Sequence, residues 1–125
     1  LNDRLAVDVP LAGLGSAVGD ADLVLLETDA LGPDSAICSV GSLTAAAVAA
    51  QLGTEVWLVA GVGRCLPAAM WEPLRAMVVS DEPWEDRHEV VSLDLVDRVV
   101  GPGGPVPAAE ARFRIDCPVT PELFR

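Results

Sequence analysis

Lysine is absent from the chain, and so is tyrosine; histidine occurs once and cysteine three times. Without lysine, the chain cannot form a Schiff base or offer an ammonium to a phosphate. All eight basic residues are arginines set against nineteen acidic residues, for a net charge of −11. Sequence-independent binding to nucleic acid rests on neutralising phosphates, so no direct nucleic-acid contact is expected. No apolar run reaches the ~18–20 residues of a membrane helix. The longest one, residues 45–50, is short and alanine-rich, so no membrane partner is expected. No basic stretch leads into an apolar segment of the secretory type. Cys38, Cys65 and Cys117 form no Cys-x-x-Cys pair, which fits reduced thiols in a cytoplasmic protein. Nothing in the sequence calls for a metal or a cofactor.

What is present is hydrophobic substance: 51% of the 125 residues are apolar, enough for one folded domain and too many for a disordered tail. The chain is organised around residues 23–53. Leu23-Val24-Leu25-Leu26 is an unbroken aliphatic run of the kind found in a strand covered on both faces. Glu27-Thr28-Asp29 forms an acidic end to it, and Gly32-Pro33-Asp34-Ser35 has the chemistry of a turn. A helix follows over residues 43–52, with Ser42 as N-cap and Gly53 as the residue that ends it. Its alanines make it thin enough to pack closely on a sheet. Ligands of α/β sheets sit where strand ends meet helix starts, so this strand, loop and helix is the first place to look for a site.

Residues 5–11 read as a further strand, leaving the sheet at Pro10. The segment from Gly13 to Gly19 resembles a glycine-rich phosphate turn. About six residues then separate it from the next strand, too few for the helix of a dinucleotide site. A turn beside a ligand crevice and a purely structural turn both remain open. A strand over 56–60 ends in Gly61-Val62-Gly63-Arg64, where Arg64 is either a solvated side chain or the cation of a site. A short helix follows over 66–79, with Pro67 in its first turn and Trp71 and Met70 as core or interface residues. Residues 80–88 form an acidic surface loop. His88, set among charges, reads as a solvated side chain. Residues 89–93 form the last strand, ahead of a Gly/Pro-rich segment. This alternation predicts a three-layer α/β domain with a mainly parallel sheet.

Several of these segments also resemble a known family. Thr28-Asp29-Ala30-Leu31 and Val40-Gly41-Ser42 are similar to motifs of the translation initiation factor 2B alpha/beta/delta family. So is the closing Asp116-Cys117-Pro118-Val119-Thr120-Pro121-Glu122-Leu123. That family also contains aldose–ketose isomerases acting on methylthioribose 1-phosphate and ribose 1,5-bisphosphate. The resemblance implies a Rossmann-like fold. It places residues 1–125 in the latter part of the family's C-terminal domain, without the helical domain that precedes it. Cys38-Ser39 stands where the isomerases carry Asn-Lys, and the family's catalytic cysteine has no counterpart here. The resemblance therefore implies a non-catalytic binding and assembly domain with a sugar- or nucleoside-phosphate pocket. The alternative is an isomerase whose cysteine lies outside this sequence.

Asp29 would be catalytic only in the isomerase. As a binding residue it would take a ligand hydroxyl, with Cys38 and Ser39 nearby and Gly41, Ser42 and Arg64 on the anion. Its alternative role is to cap the turn over residues 32–35. The partners implied are a phosphorylated small metabolite and a second copy of the chain. Trp57, Trp71, Trp84 and Met70 add large apolar surface to so small a domain. Light scattering of the full-length protein at high micromolar concentration is expected to give a dimer or larger; a strict monomer would contradict this.

Overall fold

The computed structural model describes residues 6–111. Ten elements organise the chain. They run α1 (Leu14–Gly19), β1 (Leu23–Leu31), β2 (Ser35–Ser39), α2 (Ser42–Leu52), β3 (Glu55–Ala60), α3 (Ala68–Val78), β4 (His88–Ser92), β5 (Arg98–Gly101), β6 (Gly104–Pro107) and α4 (Ala108–Ala111). The strands form one sheet in the order β4-β2-β1-β3-β5-β6. β1 pairs in parallel with β3, and β3 with β5. β2 runs antiparallel to both of its neighbours, so β4 points the same way as β1. Four strands thus share one direction, as expected of a Rossmann-like α/β domain. β2 and β6 are hairpin returns.

The main core lies between the sheet and α2. Val24 and Leu26 of β1, Val56 and Leu58 of β3, and Val91 of β4 alternate onto that face. Ala45, Ala46 and Ala49 of α2 lie against them, each buried to 5% exposure or less. Small side chains let the helix approach closely, and burial of alternate aliphatics supplies the driving force. α2 ends as its sequence predicts. Gly53 adopts φ +76°, its N–H donates to Ala50 O, and the N–H of Thr54 donates to Ala49 O at 2.9 Å.

The opposite face carries a smaller layer. Trp71 of α3, 1% exposed, packs on Ala30 and Ile37 with Leu66, Leu74 and Val78 around it. Trp71 is therefore a core residue, whereas Trp84 is 75% exposed. Gly32 makes room for the indole: a Cβ there would lie 2.2 Å from Trp71 Cδ2.

Several expectations are corrected. Residues 6–10 form no strand and Leu11–Gly13 is a 3₁₀ turn; Leu5 lies outside the described residues. Pro10 has no N–H to give a ladder, and the chain turns straight into α1. The run over 23–26 extends to Leu31, and a hairpin brings back β2, a strand the sequence did not reveal. The β1 strand is central but not covered on both faces, since Leu25 is 61% exposed. The glycine segment around Gly15 folds into α1, which packs on α2. The Gly/Pro-rich segment is the β5–β6 hairpin, with Gly104 at φ +94°. The tail motif at 116–123, with Cys117, lies outside the described residues.

Gly32→Ala is expected to destabilise the domain by roughly 1–3 kcal/mol, because the indole is held by packing and cannot retreat freely. Denaturant melts of Gly32→Ala, Trp71→Leu and the double variant check this. The two costs should be less than additive, and strictly additive costs would refute the contact.

Candidate functional site

A single extra residue in β1 builds the site. Thr28 pairs with Cys38 and Ala30 pairs with Ile37, so Asp29 is bulged out of the ladder. The buried Thr28 hydroxyl fixes the bulge: its one proton lies between Ala30 O at 2.8 Å and Ile37 O at 2.9 Å, both within hydrogen-bond distance. Pairing of β1 with β3 ends at Thr28 and Ala60. Asp29 is therefore the first residue beyond the parallel pairing, at the carboxyl end where α/β sheets bind ligands.

Two basic side chains converge on Asp29. Arg64 is carried back to β1 by the turn after β3, where Leu31 N–H donates to Arg64 O and Leu66 N–H to Leu31 O, both at 2.8 Å. Its Nη1 donates to Asp29 O at 3.2 Å. His88 opens β4, and its Nε2 lies 3.3 Å from Asp29 Oδ2. The two side chains are 42% and 50% exposed, so the pair is open to solvent and to ligands. By sequence alone His88 reads as a solvated side chain. Its partner is 59 positions away, and only the β2–β4 register, which sets His88 opposite Ser39, brings it near.

The expected binding set is divided by the sheet. Cys38 faces the α2 core and is wholly buried, and strand alternation turns the exposed Ser39 to the other side, with Asp29. Gly41 and Ser42 belong to the α2 side. Ser42 is the first helical residue and not the N-cap; Gly41 takes that place at φ +99° without a side-chain cap. Glu89 of β4 caps the helix instead: its Oε1 accepts from Gly41 N at 2.9 Å and from Leu43 N at 3.1 Å. An incoming anion would have to displace this carboxylate from the positive end of the helix dipole.

Burial pushes the Cys38 thiol up to about 11. The Thr28 hydroxyl bond works against that rise, while the negative charges of Asp29 and Glu89 add to it. Such a thiol stays protonated at neutral pH and is neither nucleophile nor proton acceptor there. A crevice of about 130 Å³ also lies at the carboxyl ends, between Gly61–Gly63 and the Pro102–Gly104 turn, with Leu31 and Cys65 in its wall. Among the described residues no group of three or more His, Cys, Asp or Glu side chains could hold a metal ion.

No family model matches the sequence, and no curated protein matches it. Solved structures do. Over 82% of this chain the fold matches eIF2B beta from Chaetomium thermophilum, at a TM-score of 0.62 and 17% identity, covering 30% of that chain. Over 84% it matches 5-methylthioribose 1-phosphate isomerase from Pyrococcus horikoshii OT3, at 0.64 and 14%, covering 35% of that chain. Over 81% it matches a chain of the tetrameric eIF2B-beta2-delta2 complex from C. thermophilum, at 0.62 and 21%, covering 32% of it. The present chain thus spans about a third of the length of the chains it matches. The likeness is one of fold. It falls on the same proteins that the Asp29 and Gly41 motifs resemble.

Glu89→Ala is expected to cost about 1 kcal/mol in a urea melt, because the amides of Gly41 and Leu43 at the start of α2 lose their acceptor. An unchanged midpoint would show that water caps the helix equally well. Cys38 gives a pH signature. Its thiol is raised from an ordinary 9.0 to about 11, so the folded state holds the proton more tightly. The resulting stability is complete below pH 9 and is lost as the pH rises through 11, by on the order of 2–3 kcal/mol. Melts of the parent and of Cys38→Ala at pH 8 and pH 11 should differ in slope by that amount; parallel behaviour would refute it.

Proposed function

We propose that the chain is an initiation factor 2B-like domain that binds a sugar phosphate or nucleoside phosphate and assembles with further copies, without catalysing a reaction. In this reading residues 1–125 correspond to part of a C-terminal Rossmann-like domain. The observation that carries it is the convergence of Arg64 on Asp29 at the carboxyl end of the sheet. A half-exposed carboxylate suits a sugar hydroxyl. A guanidinium, with several donors left after its one bond to Asp29 O, suits an anion. Ser39 adds a hydroxyl on the same side, whereas Cys38, Gly41 and Ser42 lie behind the sheet and would shape the loop without touching the ligand.

The non-catalytic reading is supported by the state of Cys38. Its thiol is buried on the opposite face from Asp29 and held protonated, so it cannot share proton transfers with that carboxylate. The likeness to 5-methylthioribose 1-phosphate isomerase favours a second reading. In that reading Asp29 is catalytic, and a thiol from sequence outside these 125 residues completes the pocket. Assembly is supported by the uncovered sheet face, where Leu25 is 61% and Val59 37% exposed beside Trp57. A chain of similar fold comes from a tetrameric complex.

Titration with ribose 5-phosphate, followed by calorimetry on the full-length protein, tests the pocket. Arg64→Ala should weaken binding roughly tenfold or more, the scale of a hydrogen bond to a charged group. Asp29→Asn should weaken it less, through the hydroxyl alone. If both variants bind as tightly as the parent, the pocket lies elsewhere. If the parent turns over a ribose phosphate and Asp29→Asn abolishes this, the isomerase reading replaces the binding one.

A further inference from the structure

One strand edge inside the sheet is left open among the described residues. β1 pairs with β3 from Leu23 to Thr28, but with β2 only from Thr28 onward. On the β2 side, therefore, Leu23–Leu26 pair with no strand among the described residues. A cavity of about 350 Å³ opens along this edge, walled by Leu14 and Val18 of α1, by Leu11 before it and by Val40 just past β2. All of Leu23–Leu26 line it, although their side chains alternate between faces, so the cavity follows the edge itself. An unpaired edge beside an apolar notch is a template for a further strand.

The segment just before α1 suits that place. Ala6-Val7-Asp8-Val9 alternates in polarity, and Pro10 behind it is extended, at φ −65° and ψ 154°. Val18 of α1 shares the core of α2, so the two helices lie on one face of the sheet. Parallel crossovers are right-handed, so a strand leading through α1 into β1 belongs on the side of β1 away from β3, where the notch is. There Val7 and Val9 would fill the notch and Asp8 would stay in water. Yet the segment does not fold back onto its own notch: residues 6–10 are all exposed, Val7 at 61% and Val9 at 48%. Strand and edge are thus both unpaired within one chain. We propose that two copies of the chain exchange this segment, residues 6–9 of each adding a parallel strand to the Leu23–Leu26 edge of the other. An exchanged strand takes the place that the chain's own would take. Pro10, without an N–H, ends the added strand, and Leu11 at the rim of the notch is where the chain crosses between copies. This contact rests on the assembly reading above and names the surfaces that meet.

Sedimentation of the full-length protein, with isotope-filtered NMR on a mixture of labelled and unlabelled copies, tests the exchange. NMR contacts between residues 6–9 and Leu23–Leu26 should appear across copies. The double variant Val7→Asp/Val9→Asp changes only exposed positions of the single chain and leaves its core intact. It should weaken dimerisation roughly a hundredfold or more, since two apolar side chains per copy lose their burial. Ala17→Arg, on the wall of the notch, should do the same from the receiving side. Mixing the two variants should restore association in part, because one keeps its notch and the other its strand. Asp8→Asn should dimerise as the parent does. Dimerisation unchanged in Val7→Asp/Val9→Asp, or NMR contacts found only within one copy, overturns the exchange and leaves assembly to another surface. A strict monomer removes the assembly reading and the exchange together, without touching the phosphate pocket.

Discussion

One buried hydroxyl settles the layout of this domain. The Thr28 hydroxyl shares its one proton between the carbonyls of Ala30 and Ile37, on either side of the point where β1 carries one residue more than β2. Before the bulge, Val24 and Leu26 face α2, as does Thr28. After it, Ala30 faces the Trp71 layer and Leu31 returns to the main core. A bulge reverses the alternation that strand geometry otherwise imposes. Without it, either Ala30 would lose its place under Trp71 or Asp29 would be directed into the core. The cost of burying a hydroxyl is offset because its proton always has a carbonyl within reach.

The two faces of the sheet divide the chemistry accordingly. The α2 face is closed: the helix N-terminus, the natural place for an anion, is held by Glu89 from β4. That capping ties the far edge of the sheet to the helix and leaves Cys38 in an environment where its thiol stays protonated. The other face is open from Leu25 through Trp57 and Val59, and its carboxyl end carries Asp29, Arg64 and His88. Polar groups that can still meet a ligand therefore gather on one side. The glycine-lined crevice lies beyond them, at the ends of β3 and β5.

The fold was partly legible because its signals are local. The aliphatic run from Leu23 marked a strand, the alanines before Gly53 marked a closely packed helix, and Gly53 marked its end, each through a period or a backbone preference that neighbouring residues carry. The strand β2 was not legible. Ala36-Ile37-Cys38 is too short an apolar run to show a period, and it becomes a strand only because β1 and β4 flank it on both sides. Residues near Pro10 misled for the converse reason: they alternate in polarity, but no neighbouring strand takes them up.

What the sequence determined by itself was the class of fold, the position of Asp29 just past the aliphatic run of the central strand, and the absence of lysine chemistry. Each depends on residue types and short spacings. What the tertiary structure decided was which groups meet. Glu89 reaches the helix start across 48 positions, and His88 reaches Asp29 across 59. Both contacts follow from strand order and register, which are set by the packing of the whole sheet. Successive residues of a strand face opposite ways. So His88 and Glu89, adjacent in the chain, serve opposite faces, and no local reading of that pair could have separated them.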